Sequence, residues 1–154
     1  MKIKAILIIG MIMGSVAITG CISTSENKHF DNQNISFDYP GTWNINSENN
    51  PMNITGRLWM ITIENPEDKL FTISIFADTQ PADRSGSYTK INSIKISGVD
   101  AQGYEADNGN SKFYDFTKNK KYYTVTIRSL NFNSDDFDKY KNEINTILNS
   151  IQIK

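Results

Sequence analysis

The chain has 154 residues, with 16 Lys or Arg against 17 Asp or Glu, one His and one Cys. That length suits a single domain able to bury its own core, and a solitary cysteine excludes an intramolecular disulfide. A net charge of −1 gives no electrostatic reason to seek nucleic acid.

Lys2 and Lys4 supply a short positive start, and an almost unbroken apolar run follows from Ile3 to Ile18. The run closes on Ile18-Thr19-Gly20-Cys21, which resembles a lipobox: branched apolar, small, small, cysteine. A small residue before the cysteine lets the backbone enter a narrow peptidase cleft, and the thiol is the nucleophile that carries a lipid. Ordinary secretory signals have apolar stretches of about 7–15 residues, whereas a membrane helix needs about 20. The stretch here falls between them, interrupted by Gly10 and Gly14. The expected organisation is a lipoprotein signal peptide over 1–20, lipidation at Cys21, and a chain anchored to the cell membrane. An uncleaved anchor and plain secretion are the alternatives, and all three put the rest of the chain outside the cytoplasm. Loss of Lys2 and Lys4 leaves 14 basic against 17 acidic residues, a net charge near −3.

Residues 21–33 (CISTSENKHFDNQ) are polar and without apolar periodicity, so they read as a flexible tether. At roughly 5–6 Å times the square root of its length, it would hold the domain about 20 Å from the bilayer. His29 lies in it with no partner ligand nearby in sequence, and is expected to carry no function. Asn34-Ile35-Ser36 and Asn53-Ile54-Thr55 make Asn34 and Asn53 candidate glycan acceptors. In an Asn-rich chain two such matches also arise by chance.

The folded part, expected over 34–154, reads mostly as strand. Ile35, Phe37 and Tyr39 alternate with polar residues until Pro40-Gly41, and Trp43 and Ile45 suggest a second short strand across a tight turn. Leu58 to Ile63 is apolar on both faces, as in an interior strand covered on both sides. A turn at Asn65–Asp68 leads to a strand from Leu70 to Ala77, with Phe71, Ile73, Ile75 and Ala77 on one face. A loop of turn formers runs from Asp78 to Tyr88. Ile94 and Ile96, then Val99, Ala101 and Tyr104, flank a break at Ser97-Gly98. Asp107-Asn108-Gly109-Asn110 signals a hairpin with a type I′ turn at Asn-Gly. Tyr114 and Phe116, a turn at Asn119-Lys120, and Tyr123, Val125 and Ile127 complete a meander.

One helix is predicted. Ser134 caps it, Asp135 and Asp136 favour its N-terminal dipole, and Phe137, Tyr140, Ile144, Ile147, Leu148 and Ile151 form its apolar stripe. The tail Ser150–Lys154 alternates and adds a last short strand.

Three stretches carry a resemblance. Ile35-Ser36-Phe37-Asp38-Tyr39-Pro40 followed by Trp43, the junction Ile96-Ser97-Gly98-Val99-Asp100-Ala101, and the ending Ile147-Leu148-Asn149-Ser150-Ile151-Gln152-Ile153 resemble motifs of the PsbP-like family in order and spacing. The match covers about residues 34–154, and lipobox-bearing relatives of this type are exported proteins of archaea and bacteria. The resemblance implies an α+β fold with a central antiparallel sheet of about 6–8 strands and a C-terminal amphipathic helix packed on one face. Plant members stabilise the water-oxidising centre of photosystem II, but nothing in this chain indicates a photosystem partner, and a shared fold is not a shared site. One departure matters. Family members usually have a helix between the middle strands, whereas Asp78 to Ser93 is short, contains Gly86 and lacks a helical stripe. The sheet face there is expected to be thinly covered, which makes Arg84 and Tyr88 the candidate partner contacts.

Chemistry is harder to find. Nucleophilic catalysis needs a base beside the nucleophile, but the one histidine is in the tether and the one cysteine is expected to be acylated. Zinc-type clusters and Gly-rich phosphate loops are absent from the sequence. Asp107, or Asp135 with Asp136 and Asp138, offers oxygen to a hard cation, yet the further ligands of a calcium loop are missing, so no metal and no cofactor is expected. Arginine occurs only at positions 57, 84 and 128, a scarcity read as genomic base composition. The reading that results is a membrane-anchored, non-catalytic extracytoplasmic domain that binds or stabilises another envelope component through a protein contact. Its alternative is a small-molecule or metal-ion binder, or a weak hydrolase using surface carboxylates.

Overall fold

The computed structural model describes residues 26–49, 54–130 and 135–154. The expected signal peptide, Cys21, Asn53 and the Ser134 cap lie outside them. The described chain forms β1 (Asn27–Asp31), β2 (Ile35–Pro40), β3 (Asn44–Asn49), β4 (Arg57–Glu64), β5 (Phe71–Asp78), β6 (Thr89–Ile96), β7 (Val99–Ala106), β8 (Ser111–Lys118), β9 (Lys121–Ser129), α1 (Asp136–Lys139), α2 (Lys141–Ser150) and β10 (Gln152–Ile153). Strands β3 to β9 make one antiparallel sheet in the order β3-β4-β5-β9-β8-β7-β6, and β1-β2-β10 make a smaller one. The α+β fold with a mostly antiparallel sheet and a C-terminal helix is therefore the one observed.

Alternation builds the large sheet. On β5, Phe71, Ile73, Ile75 and Ala77 are fully buried, while Thr72, Ser74 and Phe76 on the other face are half-buried. Register sets Ile73 against Ile127, Ile75 against Val125 and Ala77 against Tyr123, so β9 continues the apolar wall. Trp59, Ile61 and Ile63 extend it on β4. The expectation that this strand is covered on both sides holds for one side only, since Leu58, Met60 and Thr62 stay half-buried. The same core takes in Ile35, Phe37 and Ile153 of the small sheet and Ile144, Ile147 and Leu148 of α2. Trp43, Phe71, Phe137 and Tyr140 close one end of it, with Phe71 and Tyr140 ring centroids 4.7 Å apart.

Four expectations are corrected. Residues 27–31 of the supposed tether are strand β1, paired antiparallel with β2, and Phe30 stacks on Phe37 at 5.1 Å. An edge strand with one apolar side chain to bury shows no period in sequence, so the folded body begins at Asn27 and not at residue 34. β3 does not pair with β2 across the Pro40-Gly41 turn; it joins the large sheet on β4. The single helix is two, parted at Tyr140 (φ −103°, ψ 20°), whose ring packs against Phe71 and Trp43. The expected Asn-Gly turn is longer than two residues: Asp107, Asn108 and Gly109 all take positive φ in a short 3-10 turn. The turns at Ser97-Gly98 and Asn119-Lys120 do have positive φ at both residues, as two-residue hairpins prefer.

Candidate functional site

The face of the large sheet turned away from the core is formed by the alternate residues of β4, β5, β9 and β8. Hydroxyls dominate it: Thr72, Ser74, Thr124 and Thr126 stand in adjacent registers, with Phe76 and Phe113 beside them. Residues 79–88 fold back over part of this face and are fastened by Arg84. Its Nε donates to Asp115 Oδ2 at 2.7 Å and its Nη2 to Asp115 Oδ1 at 2.9 Å. Its guanidinium lies 4.3 Å from the Phe113 ring centroid and 4.9 Å from that of Tyr88. Thr124 Oγ1 completes the cluster by donating to Asp115 Oδ1 at 2.6 Å. Burial works against the charge of Arg84, but the hydrogen bonds and charge of Asp115 outweigh it and raise its pKa. Within the loop, the Ser85 hydroxyl and amide hold Asp83 below the usual carboxylate range.

This fastening corrects the idea of a thinly covered face in the half beside β7 and β8. Phe113 is only 7% exposed, and Arg84, expected to meet a partner, is already committed to Asp115. Tyr88 sits edge-on to Phe113 at 5.5 Å. The loop covers as a helix would, though with one part-buried ion pair in place of an apolar stripe.

The other half stays open. Between the loop and strands β4, β5 and β9 runs a groove of about 380 Å³, floored by Thr72, Ser74, Phe76, Thr124 and Thr126. Arg57, Arg84 and Arg128 all line it, and these are all the arginines in the chain. Arg57 pairs with Asp78 and lies 4.1 Å over the Phe76 ring. Arg128 is exposed and has no ion-pair or hydrogen-bond partner among the described residues. Of the three guanidinium groups lining the groove, Arg57 and Arg84 are paired with carboxylates, and Arg128 is left without one among the described residues.

The remaining candidates do not converge on this place. His29 pairs with Asp38 at 2.7 Å at the exposed edge of the small sheet. Asn34 sits half-buried in the β1–β2 turn, its amide donating to Asn32 Oδ1 at 2.9 Å. Asp107 accepts from the Ser111 hydroxyl at 2.9 Å, and the buried Asp136 accepts from the Ser129 hydroxyl at 2.7 Å. Among the described residues no three His, Cys, Asp or Glu side chains gather as metal ligands would. A second recess, of about 400 Å³, lies between β8 and α2, and Lys112 at its edge is 4.3 Å over the Phe137 ring.

No protein-family model matches the chain, and no curated protein matches it either. Among solved structures it is similar to the solution structure of the cyanobacterial PsbP of Synechocystis sp. PCC 6803, with a TM-score of 0.55. That likeness has 13% identity and spans 92% of this chain and 100% of the other. It is a likeness of fold, and the PsbP-like architecture implied by the sequence motifs is the architecture of this chain.

Proposed function

We propose that this chain is a lipid-anchored, non-catalytic accessory domain on the outer side of the cell membrane, and that it binds an envelope protein through the arginine-lined groove of its large sheet. One observation carries the reading. In a chain where lysine is the ordinary cation, every arginine lines one open groove, and Arg128 there has no carboxylate partner among the described residues. A positive recess selects an acidic surface on the partner and steers its approach. Binding suits the groove better than hydrolysis does, because Asp78 and Asp115 are each held by an arginine and neither stands free as a base. The lipobox-like tetrad ending at Cys21 supports the anchoring.

The test is site-specific photo-cross-linking in intact membranes. A photoreactive residue at Gln80, exposed on the groove wall, should trap one defined protein, whereas the same residue at exposed Asn142 on α2 should not. Adducts formed at Asn142 with none at Gln80 would put the contact on the helix side and end this reading.

A further inference from the structure

Within the groove, the open end is chemically distinct. Arg128 faces Thr72 directly across the β5–β9 pair, and Thr126, two residues before Arg128, stands on the same face opposite Ser74. The side chains of Arg128, Thr72 and Thr126 make no hydrogen bond or ion pair among the described residues. Thr126 is 7% exposed, and its unpaired hydroxyl still opens onto the groove. Arg57 and Arg84, by contrast, are satisfied by Asp78 and Asp115.

We infer that this end of the groove is a carboxylate-binding subsite, in which Arg128 forks onto the two oxygens while Thr72 and Thr126 donate to their remaining lone pairs. A planar guanidinium matches a planar carboxylate with two parallel hydrogen bonds, which the point charge of a lysine cannot do. The one guanidinium of the groove left unpaired among the described residues matches a monoanion and leaves a phosphate dianion under-neutralised. Phe76 and Phe113 lie farther along the groove, their rings already covered by Arg57 and Arg84. A volume of about 380 Å³ accommodates a carboxylate whether it belongs to a protein side chain or to a free small acid. The inference rests on the groove being a contact surface, and its test separates the two.

The chain's three arginines should give three Nε–Hε cross-peaks in NMR spectra of the full-length protein in detergent micelles. Propionate, a monoanion, is the probe, with inorganic phosphate and sodium chloride titrated separately at matched ionic strength. The Arg128 peak should move saturably with propionate and only linearly with chloride. Arg128→Lys should weaken propionate binding about tenfold, the loss of a second charge-assisted hydrogen bond, and Thr126→Val should weaken it in the same direction. Unchanged Arg57 and Arg84 peaks show that each variant is folded. A propionate response no different from chloride, tighter binding of phosphate, or undiminished binding by the Arg128→Lys protein each overturns the subsite. Suppression of the Gln80 cross-link by propionate supports a carboxylate borne by the protein partner. Saturable binding without any Gln80 cross-link supports the same subsite for a free acid and overturns the docking reading alone.

Discussion

Arg84 shows what one side chain can do for a loop without regular structure. Residues 79–88 have little apolar material, and they lie down because a guanidinium fork reaches Asp115 while its face rests on Phe113 and Tyr88. Both partners are mostly buried, at 13% and 21% side-chain exposure, so the pair is not screened as a surface pair would be. Replacing Arg84 by Ala leaves Asp115 with the Thr124 hydroxyl alone and should cost about 1.5–3 kcal/mol, the range for hydrogen bonds to a charged group. Urea denaturation measures it, and limited proteolysis should cut the released loop between Ala82 and Ser87. A loss below about 0.5 kcal/mol, typical of ordinary surface substitutions, would mean that other contacts hold the loop. At this scale the sequence was only partly legible. Arg84 is singled out by the loop that contains it, but its partner lies two strands away. Arg128 was missed although its strand marked it, since Thr124, Thr126 and Arg128 alternate with Val125 and Ile127. What no local pattern contains is the β5–β9 register that stands Arg128 beside Thr72.

The elements follow their periods where burial is one-sided and depart from them where an edge or an aromatic cluster intervenes. The stripe of α2 is buried as its spacing demands, with Ile147 fully buried and Leu148 6% exposed. Leu148→Ala should therefore cost about 2–5 kcal/mol, as large-to-small core changes do. A loss under about 1 kcal/mol in thermal or urea unfolding would mean that the cavity collapses or the helix docks loosely. The β8–β9 turn offers the opposite experiment. Lys120 is exposed and holds φ at 61°, a left-handed conformation that costs a side chain about 1–2 kcal/mol and glycine almost nothing. Lys120→Gly should raise stability by about 1 kcal/mol after glycine's extra unfolded-state entropy is subtracted. Unchanged or lower stability would show that the turn stores no strain. Strand β1 and the break at Tyr140 were not legible for a shared reason. Each depends on a distant ring, Phe37 for Phe30 and Phe71 for Tyr140, and neither contact leaves a local period.

At the scale of the whole molecule, the early start of the fold changes how the domain meets a membrane. The polar stretch after Cys21 reads as a long tether, but β1 takes up Asn27–Asp31, so only residues 22–26 remain between the proposed lipid and the folded body. Fully extended, five residues reach at most about 18 Å. The small sheet should therefore stand against the headgroups, with β1 as its nearest strand. Mass spectrometry of the mature N-terminus should show a lipid-modified Cys21, and Cys21→Ala should release the protein or block its processing. An unmodified N-terminus at Met1 in a chain still bound to membranes would replace lipidation with an uncleaved anchor. In nanodiscs carrying spin-labelled headgroups, the amides of Asn27–Asp31 should broaden more than those of β5 and β9 in the centre of the large sheet. Inserting a ten-residue Gly-Ser segment between Ser25 and Glu26 should relax that difference, since such a chain coils to an average span of roughly 5–6 Å times the square root of its length and lets the body tumble. Equal broadening of both regions before the insertion would show that β1 does not hold the domain to the surface.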